Sequence, residues 1–514
     1  MTTLVKNVDK SRIVQNTLLL YVRQFVIMVV HLYTVRAILN ILGVDDFGVF
    51  SAVAGFVMML SFLTGTMGSA TQRFFSFALG KKDMLLLKKV FGTNVIIYLF
   101  LSLIAILLLE TVGLWFVHFK LSVPLNRFSA VQILYQFTAL RFIFMLISAP
   151  CIAILIAHEE MNCYATISII EAGLNLLVVL FLPCCAFDKL ISYGVLTALL
   201  SSCITLIYVL TCIKRYPECS LRKICFDRGV LKEIVNFTGW TLFGCMSTMA
   251  RTQAVTVLLN QVFTPAVVAA RAVALNVSGA VNTFSTNFNT GIYPPIIKAW
   301  SNNERQEMYK LIYLGCKISF FLTWIVAVPC FWRIDFILKL WLGKVPEMAG
   351  LFIRLVLIEN MILAISLPIV TAARAPGNMR EYELTLGIIQ FLIFPFSLVA
   401  LYLGAEAYST LIIAIIANVI MFFVRLHIVH KLIDLPLKPF YTFVLKPILY
   451  CLTTSCLLSW GVHFLLGNSA VDSILAIIVC LIISGLSIFF LGLSKTERAS
   501  AITLVMSKIR RNNI

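Results

Sequence analysis

Runs of about twenty apolar residues, interrupted by short polar stretches, recur along the whole chain. A helix needs about 20 mainly apolar residues to cross a bilayer, and fourteen segments meet that length. The first seven lie near residues 13–35, 47–70, 90–111, 128–150, 164–184, 189–213 and 237–260. The second seven lie near 266–290, 311–332, 348–373, 384–402, 408–430, 443–466 and 474–493. The pattern therefore predicts an all-α polytopic membrane protein. The polar start from Met1 to Arg12 leads into a span too long for the apolar core of a cleavable signal, so the first helix is expected to stay as an anchor.

The connectors carry the topological signal, because cytoplasmic loops retain Lys and Arg during insertion. With an inside N-terminus, 28 of the 41 Lys and Arg fall on the cytoplasmic side and 9 on the outer side. Four lie within spans: Arg23, Arg141, Arg251 and Lys317. Both ends are accordingly expected in the cytoplasm. The outer loops are short, the longest running from about Arg333 to Glu347, which argues against an enzyme that works on the far side of the membrane.

Composition agrees with the pattern. The 514 residues are 61% hydrophobic and 12% charged, with mean hydropathy +0.98, against roughly 25% charged in ordinary globular chains. A net charge of +18 on so little water-exposed surface points to anionic partners. The fourteen cysteines lie mostly in apolar runs, form no CxxC pair and read as small buried hydrophobes. His158-Glu159-Glu160 and the pair His427 and His430 lack a complete ligand set, so no metal is expected. Nor does a phosphate-binding glycine loop or a nucleophile motif occur. The basic, amphipathic stretch from Lys214 to Lys232 reads as a connector lying on anionic lipid.

An internal repeat organises the spans. Asn16 and Asn40 bracket the first, and Asn236 and Asn260 bracket the seventh at the same spacing, an offset of 220 residues. Gly80-Lys81-Lys82-Asp83 and Ser301-Asn302-Asn303-Glu304 close the following spans in each copy. The offset contains an even number of spans, so the copies share one orientation, as in transporters built from parallel repeats. The expected organisation is a six-helix lobe over 1–213, a basic linker over 214–236, a second six-helix lobe over 237–430, and an appended helix pair with its tail over 431–514.

An ionisable side chain within a span costs about 2.5–3.5 kcal/mol on insertion scales and is a functional candidate by default. The candidates are Arg23, His31, Arg141, Glu171, Arg251 and Glu359. Asn16 and Arg23, seven apart, share a helix face, and the 220 offset superposes His31 on Arg251. These groups either pair as buried ion pairs or, since cations outnumber carboxylates, leave a surplus for an anionic substrate. The eighth span is rich in Asn, Ser and Thr; Asn282 and Asn289, on one face, serve either as interhelical glue or as partners for sugar hydroxyls.

The run from Asn16 to Arg36, then Leu42-Gly43, Asp46-Phe47-Gly48, Ala70-Thr71-Gln72-Arg73 and Gly80-Lys81-Lys82-Asp83, resembles Wzx-type oligosaccharide flippases. Those belong to the exporter superfamily that also holds the MATE antiporters. The resemblance implies two six-helix lobes in a V-shaped, alternating-access transporter with an optional C-terminal helix pair, set in a bacterial inner membrane. It implies an undecaprenyl-pyrophosphate-linked oligosaccharide as substrate and membrane lipids as surroundings. H+ or Na+ is the candidate coupling ion, with Glu171 and Glu359 as its sites, and polysaccharide polymerase machinery is a candidate partner. No cofactor and no nucleic acid are expected. Family members carry essential Arg in the first, second, seventh or eighth spans, and the matching positions here are Arg23, Arg251 and Arg271; no Arg falls inside span 2. The competing readings are a MATE-like antiporter of organic cations, for which an acidic cavity is expected, and a membrane glycan polymerase or glycosyltransferase, for which a large outer loop is expected.

Overall fold

The computed structural model describes residues 10–119, 127–220, 225–263, 265–342, 345–467, 469–495 and 497–499. Among them no strand occurs. The long helices are α1 (Lys10–Met58), α2 (Ser61–Gly80), α3 (Met84–Phe119), α4 (Phe128–Ala157), α5 (Met161–Phe181), α6 (Lys189–Arg215) and α7 (Arg228–Val262). They continue with α8 (Pro265–Ser301), α9 (Arg305–Leu342), α10 (Ala349–Arg374), α11 (Arg380–Tyr402), α12 (Ser409–Ile433), α13 (Leu437–Leu465) and α14 (Ala470–Gly492).

Helix α1 holds two passages. It bends at Gly43, whose φ of 83° and ψ of 172° suit a residue without Cβ. The second passage, Asp46–Met58, continues into α2 across a 41° bend. Eleven helices among the described residues are long and apolar enough to cross a membrane, or twelve with that bent pair as one span. The fourteen expected spans include two more, α7 and α8. At 35 and 37 residues both have the length, but their Thr, Ser, Asn and Arg content leaves neither among the eleven.

Two compact units emerge, one from Val14 to Leu242 and the other taking in the described residues from Phe243 onward. In the first, α4 is the central element and packs most extensively on α6, then on α2, α3 and α5. Leu134, Tyr135, Leu146 and Ile154 on α4 are fully buried there. In the second, α10 takes that place, packing on α8, α9 and α12. Its core joins Leu259, Ala270, Ile334, Phe352, Ile353 and Leu357. The pairings 2–3, 2–4, 3–4, 4–6 and 5–6 of the first unit recur as 8–9, 8–10, 9–10, 10–12 and 11–12 in the second. The same six-helix offset separates the repeat marks in the sequence.

The connectors repeat as well. After α2, the Lys81, Lys82 and Asp83 amides donate to the carbonyls of Phe77, Leu79 and Ala78. After α8, Asn302, Asn303 and Glu304 donate to Lys298, Trp300 and Ala299 in the same pattern. Lys82 and Asn303 take left-handed φ of 54° and 60°, which closes each helix by satisfying its last carbonyls. Asp83 then caps α3 by accepting from the Leu85 and Leu86 amides.

Helices α13 and α14 pack on α9. Lys317, only 4% exposed, donates to Glu497 Oε2 at 2.6 Å, and Trp324 Nε1 donates to Ser455 Oγ at 2.9 Å. The intramembrane Lys317 thus has a partner 180 residues away in sequence.

Candidate functional site

In the first unit, α1, α4, α5 and α6 line a half-open cavity of about 730 Å³. Each contributes polar residues at helical spacing: Arg23, His31 and Thr34 from α1, Thr138 and Arg141 from α4, Ser168, Glu171 and Asn175 from α5, and Tyr193, Thr197, Ser201 and Tyr208 from α6. Four of the expected site residues, Arg23, His31, Arg141 and Glu171, therefore line one space. The Arg23 guanidinium lies 4.4 Å from the centre of the Tyr164 ring, and its buried Nε has no hydrogen-bond partner among the described residues. Neither Arg23 nor Arg141 forms an ion pair with Glu171 among those residues. The Asn175 amide is spent on the Glu171 backbone carbonyl at 2.9 Å, so it braces the helix. The cavity thus presents two guanidiniums and an imidazole against one carboxylate, set among hydroxyls and a larger share of apolar side chains such as Ile27, Phe50, Phe142 and Met145.

In the second unit an intramembrane Arg and Glu are paired. Arg251 Nη1 on α7 meets Glu359 Oε1 on α10 at 3.2 Å, and Asn418 Nδ2 on α12 donates to the same oxygen at 2.9 Å. Arg271, 6% exposed, donates from Nε to Thr256 Oγ1 at 3.2 Å. Asn289 accepts from Thr371 Oγ1 at 3.3 Å. Asn282 is half-buried, with its backbone carbonyl taken by Thr286. Ser278 and Asn360 exchange two hydrogen bonds, of 3.0 and 3.2 Å, that tie α8 to α10. Ser278, Ser285 and Asn289 of α8 thus tie it to α9 and α10, while Thr283, Thr286 and Thr290 bond within α8 itself. Asn16 lies on α1, and its side chain is outside the described residues.

Several polar groups that sequence reasoning passed over are structural. Arg127, just before α4, binds Asp46 and Asp188 together, with Nε to Asp46 Oδ1 at 3.1 Å. Asp188 also caps α6 through the Leu190 and Ile191 amides. Burial raises the proton affinity of its carboxyl, yet the Ile191 amide and Arg127 outweigh that and hold its pKa below the usual 3.8. At the opposite ends of α4 and α6, His158, set aside above as a metal ligand, contacts Glu218 Oε1 through Nε2 at 2.8 Å and stacks its ring on Tyr216; Lys89 on α3 pairs with Asp227, just before α7, at 2.9 Å. The motif residues carrying the flippase resemblance serve packing too. Thr71 donates to Asn94 Oδ1 at 2.9 Å, and the Arg73 guanidinium lies over Phe74 and Phe237. Glu383 on α11 was also missed; its Oε2 lies 1.9 Å from where a Cβ on Gly244 of α7 would stand.

No protein-family model and no curated protein sequence matches the chain. Solved structures do. The fold is similar to an outward-facing multidrug resistance MATE family transporter of the MOP superfamily, with a TM-score of 0.71 at 14% identity over 82% of this chain and 95% of that one. A variant of the Vibrio cholerae MATE transporter VcmN aligns at TM-score 0.69 and 17% identity, over 82% and 96% of the two chains. A MOP superfamily transporter from Pyrococcus furiosus, described as having a binding pocket of reverse polarity that suggests a different function, aligns at 0.68 and 14%, over 82% and 95%. The chain is a multi-pass membrane protein with the MATE transporter fold.

Proposed function

We propose that this chain is a flippase that moves an undecaprenyl-pyrophosphate-linked oligosaccharide from the cytoplasmic to the periplasmic leaflet of a bacterial inner membrane, for assembly of a surface polysaccharide. The observation that carries the reading is the cavity of the first unit, where Arg23, Arg141 and His31 face Glu171 alone. A pyrophosphate supplies the missing negative charge, and guanidinium forks bind its oxygens in pairs. Thr34, Thr138 and Thr197 donate their hydroxyl protons to carbonyls of their own helices, which leaves their oxygens, with the Ser201 hydroxyl, as partners for sugars. The MATE fold supports alternating access. Glu171 and Glu359 are the candidate coupling carboxylates; lobe movement that changes their distance from Arg would change their proton or sodium affinity.

The second reading is a MATE-like antiporter of organic cations, favoured by the multidrug transporters that share the fold. Vesicles holding the purified protein and a fluorescent lipid-linked oligosaccharide separate the two. Arg23→Gln and Arg141→Gln should each lower flipping at least about tenfold, and the Lys variants, which keep charge but lose the planar fork, should fall between. Glu171→Gln should weaken the dependence on an imposed pH or sodium gradient. Full activity in both Gln variants, or export of an organic cation that Glu171→Gln abolishes, would favour the antiporter.

A further inference from the structure

An acid that steadies an arginine within a bilayer also cancels its charge. Arg251 is held in that way, with Glu359 Oε1 at 3.2 Å from its Nη1. Arg23 is held differently. Its guanidinium lies over the Tyr164 ring, 4.4 Å from the ring centre, and its buried Nε has no hydrogen-bond partner among the described residues. A ring face attracts a cation through its quadrupole. It carries no formal charge, and it leaves the N–H groups at the guanidinium edge free to form the planar fork that suits phosphate.

Local packing sets this arrangement. Leu20 and Arg23, three apart on α1, lie on neighbouring turns of one face. Leu20 is fully buried and packs with Ile156 of α4 and Met161 of α5, with Tyr164 against the same cluster. The guanidinium, one turn further along α1, comes to rest on the ring. Ser168 Oγ donates to the Tyr164 backbone carbonyl at 2.9 Å, but no hydrogen bond to the Tyr164 hydroxyl occurs among the described residues. Glu171, the one carboxylate among the described residues that line the cavity, follows Tyr164 by two turns of α5, about 10 Å along its axis. Tyr164 and Glu171 are two stations for the same cation, one neutral and one that neutralises it.

We propose that Tyr164 is a positioning residue: its ring holds the Arg23 guanidinium off Glu171, so that charge and N–H fork stay available to the anionic head of the substrate. The role rests on the pyrophosphate-lipid reading of the cavity. It belongs to the face of the ring and not to the hydroxyl, and it is exerted through Arg23. Without the ring, Arg23 turns to Glu171 and the resulting ion pair competes with the substrate.

The test is binding of a radiolabelled polyprenyl pyrophosphate to the purified full-length chain in detergent, with thermal stability measured alongside. Tyr164→Phe and Tyr164→Trp keep a ring face and should bind within about twofold of the unaltered protein. Tyr164→Leu should weaken binding about tenfold, as Arg23→Gln does. The double variant should bind no more weakly than Arg23→Gln alone, because the two side chains act as one. Adding Glu171→Gln to Tyr164→Leu should recover most of the loss, which a packing defect at position 164 would not allow. Tyr164→Met, which keeps apolar bulk against Leu20, Ile156 and Met161, takes the place of Tyr164→Leu if that protein fails to fold. Losses that add in the double variant, a Phe variant as weak as the Leu one, unchanged binding in the Leu or Met variant, or no recovery with Glu171→Gln overturns the positioning role. If Arg23→Gln still weakens binding in that case, the flippase reading stands. Binding that ignores Arg23→Gln overturns both.

Discussion

At the residue scale the two units use similar charges differently. Arg23, Arg141 and Glu171 stand in one cavity without pairing among themselves, whereas Arg251 and Glu359 meet at 3.2 Å with Asn418 completing the contact. Breaking a buried pair by removing one partner costs about 3–5 kcal/mol because the other charge is stranded, while removing both is far milder. Arg251→Gln and Glu359→Gln should each lower the thermal stability of the purified protein, and the double variant should recover most of that loss. Additive losses in the double-mutant cycle would show that the two side chains act independently. The sequence made these residues conspicuous, since any ionisable group within a span is, but could not say which were paired. Pairing depends on positions 108 residues apart meeting across α7 and α10, and periodicity carries no information on that.

At the element scale the helices were legible because their apolar runs match the hydrocarbon thickness, and the capping residues Asp83 and Asp188 mark real starts. What was not legible was the 41° bend between Asp46–Met58 and Ser61–Gly80, where neither Met59 nor Leu60 is a helix breaker. Nor could spacing reveal that Arg127 joins the beginning of α4 to Asp46 and to the cap of α6. The lowered pKa of Asp188 fixes the sign of a pH effect. Its ionised form is favoured in the folded state, so the stability it contributes is fully present above the unfolded value near 3.8 and is lost as pH falls through the lower folded value. Asp188→Asn should therefore lower the melting temperature by about 2–4 °C at neutral pH. That difference should shrink as the medium is acidified below about pH 4; a constant difference would assign the effect to packing.

At the scale of the whole molecule, the 220-residue offset visible in Asn16, Asn40, Asn236 and Asn260 corresponds to a set of helix pairings that recurs six helices later. The charge asymmetry of the connectors adds an orientation, and it predicts that a reporter fused after Leu342 lies outside and one fused after Asp434 lies in the cytoplasm. Activities of the opposite sense at both would invert the topology. Substrate class was less legible. The surplus of cations was countable from composition, but their gathering into one cavity required α1, α4, α5 and α6 to converge, which is a property of packing.

The tight connectors after α2, α4 and α8 bear on how the chain is made. Each turns within a few residues through a left-handed position, at Lys82, Glu159 and Asn303, and each tip carries charged side chains: Lys81, Lys82 and Asp83, then Glu159 and Glu160, then Glu304 and Arg305. Two helices joined in this way can leave the insertion machinery as one hairpin, its last carbonyls already satisfied. The charges hold the tip at the membrane surface, because drawing each into hydrocarbon would cost about 2.5–3.5 kcal/mol. A nascent chain that has released α2 and α3 together has its register fixed before α4, the helix on which the first unit is centred, emerges to pack against them.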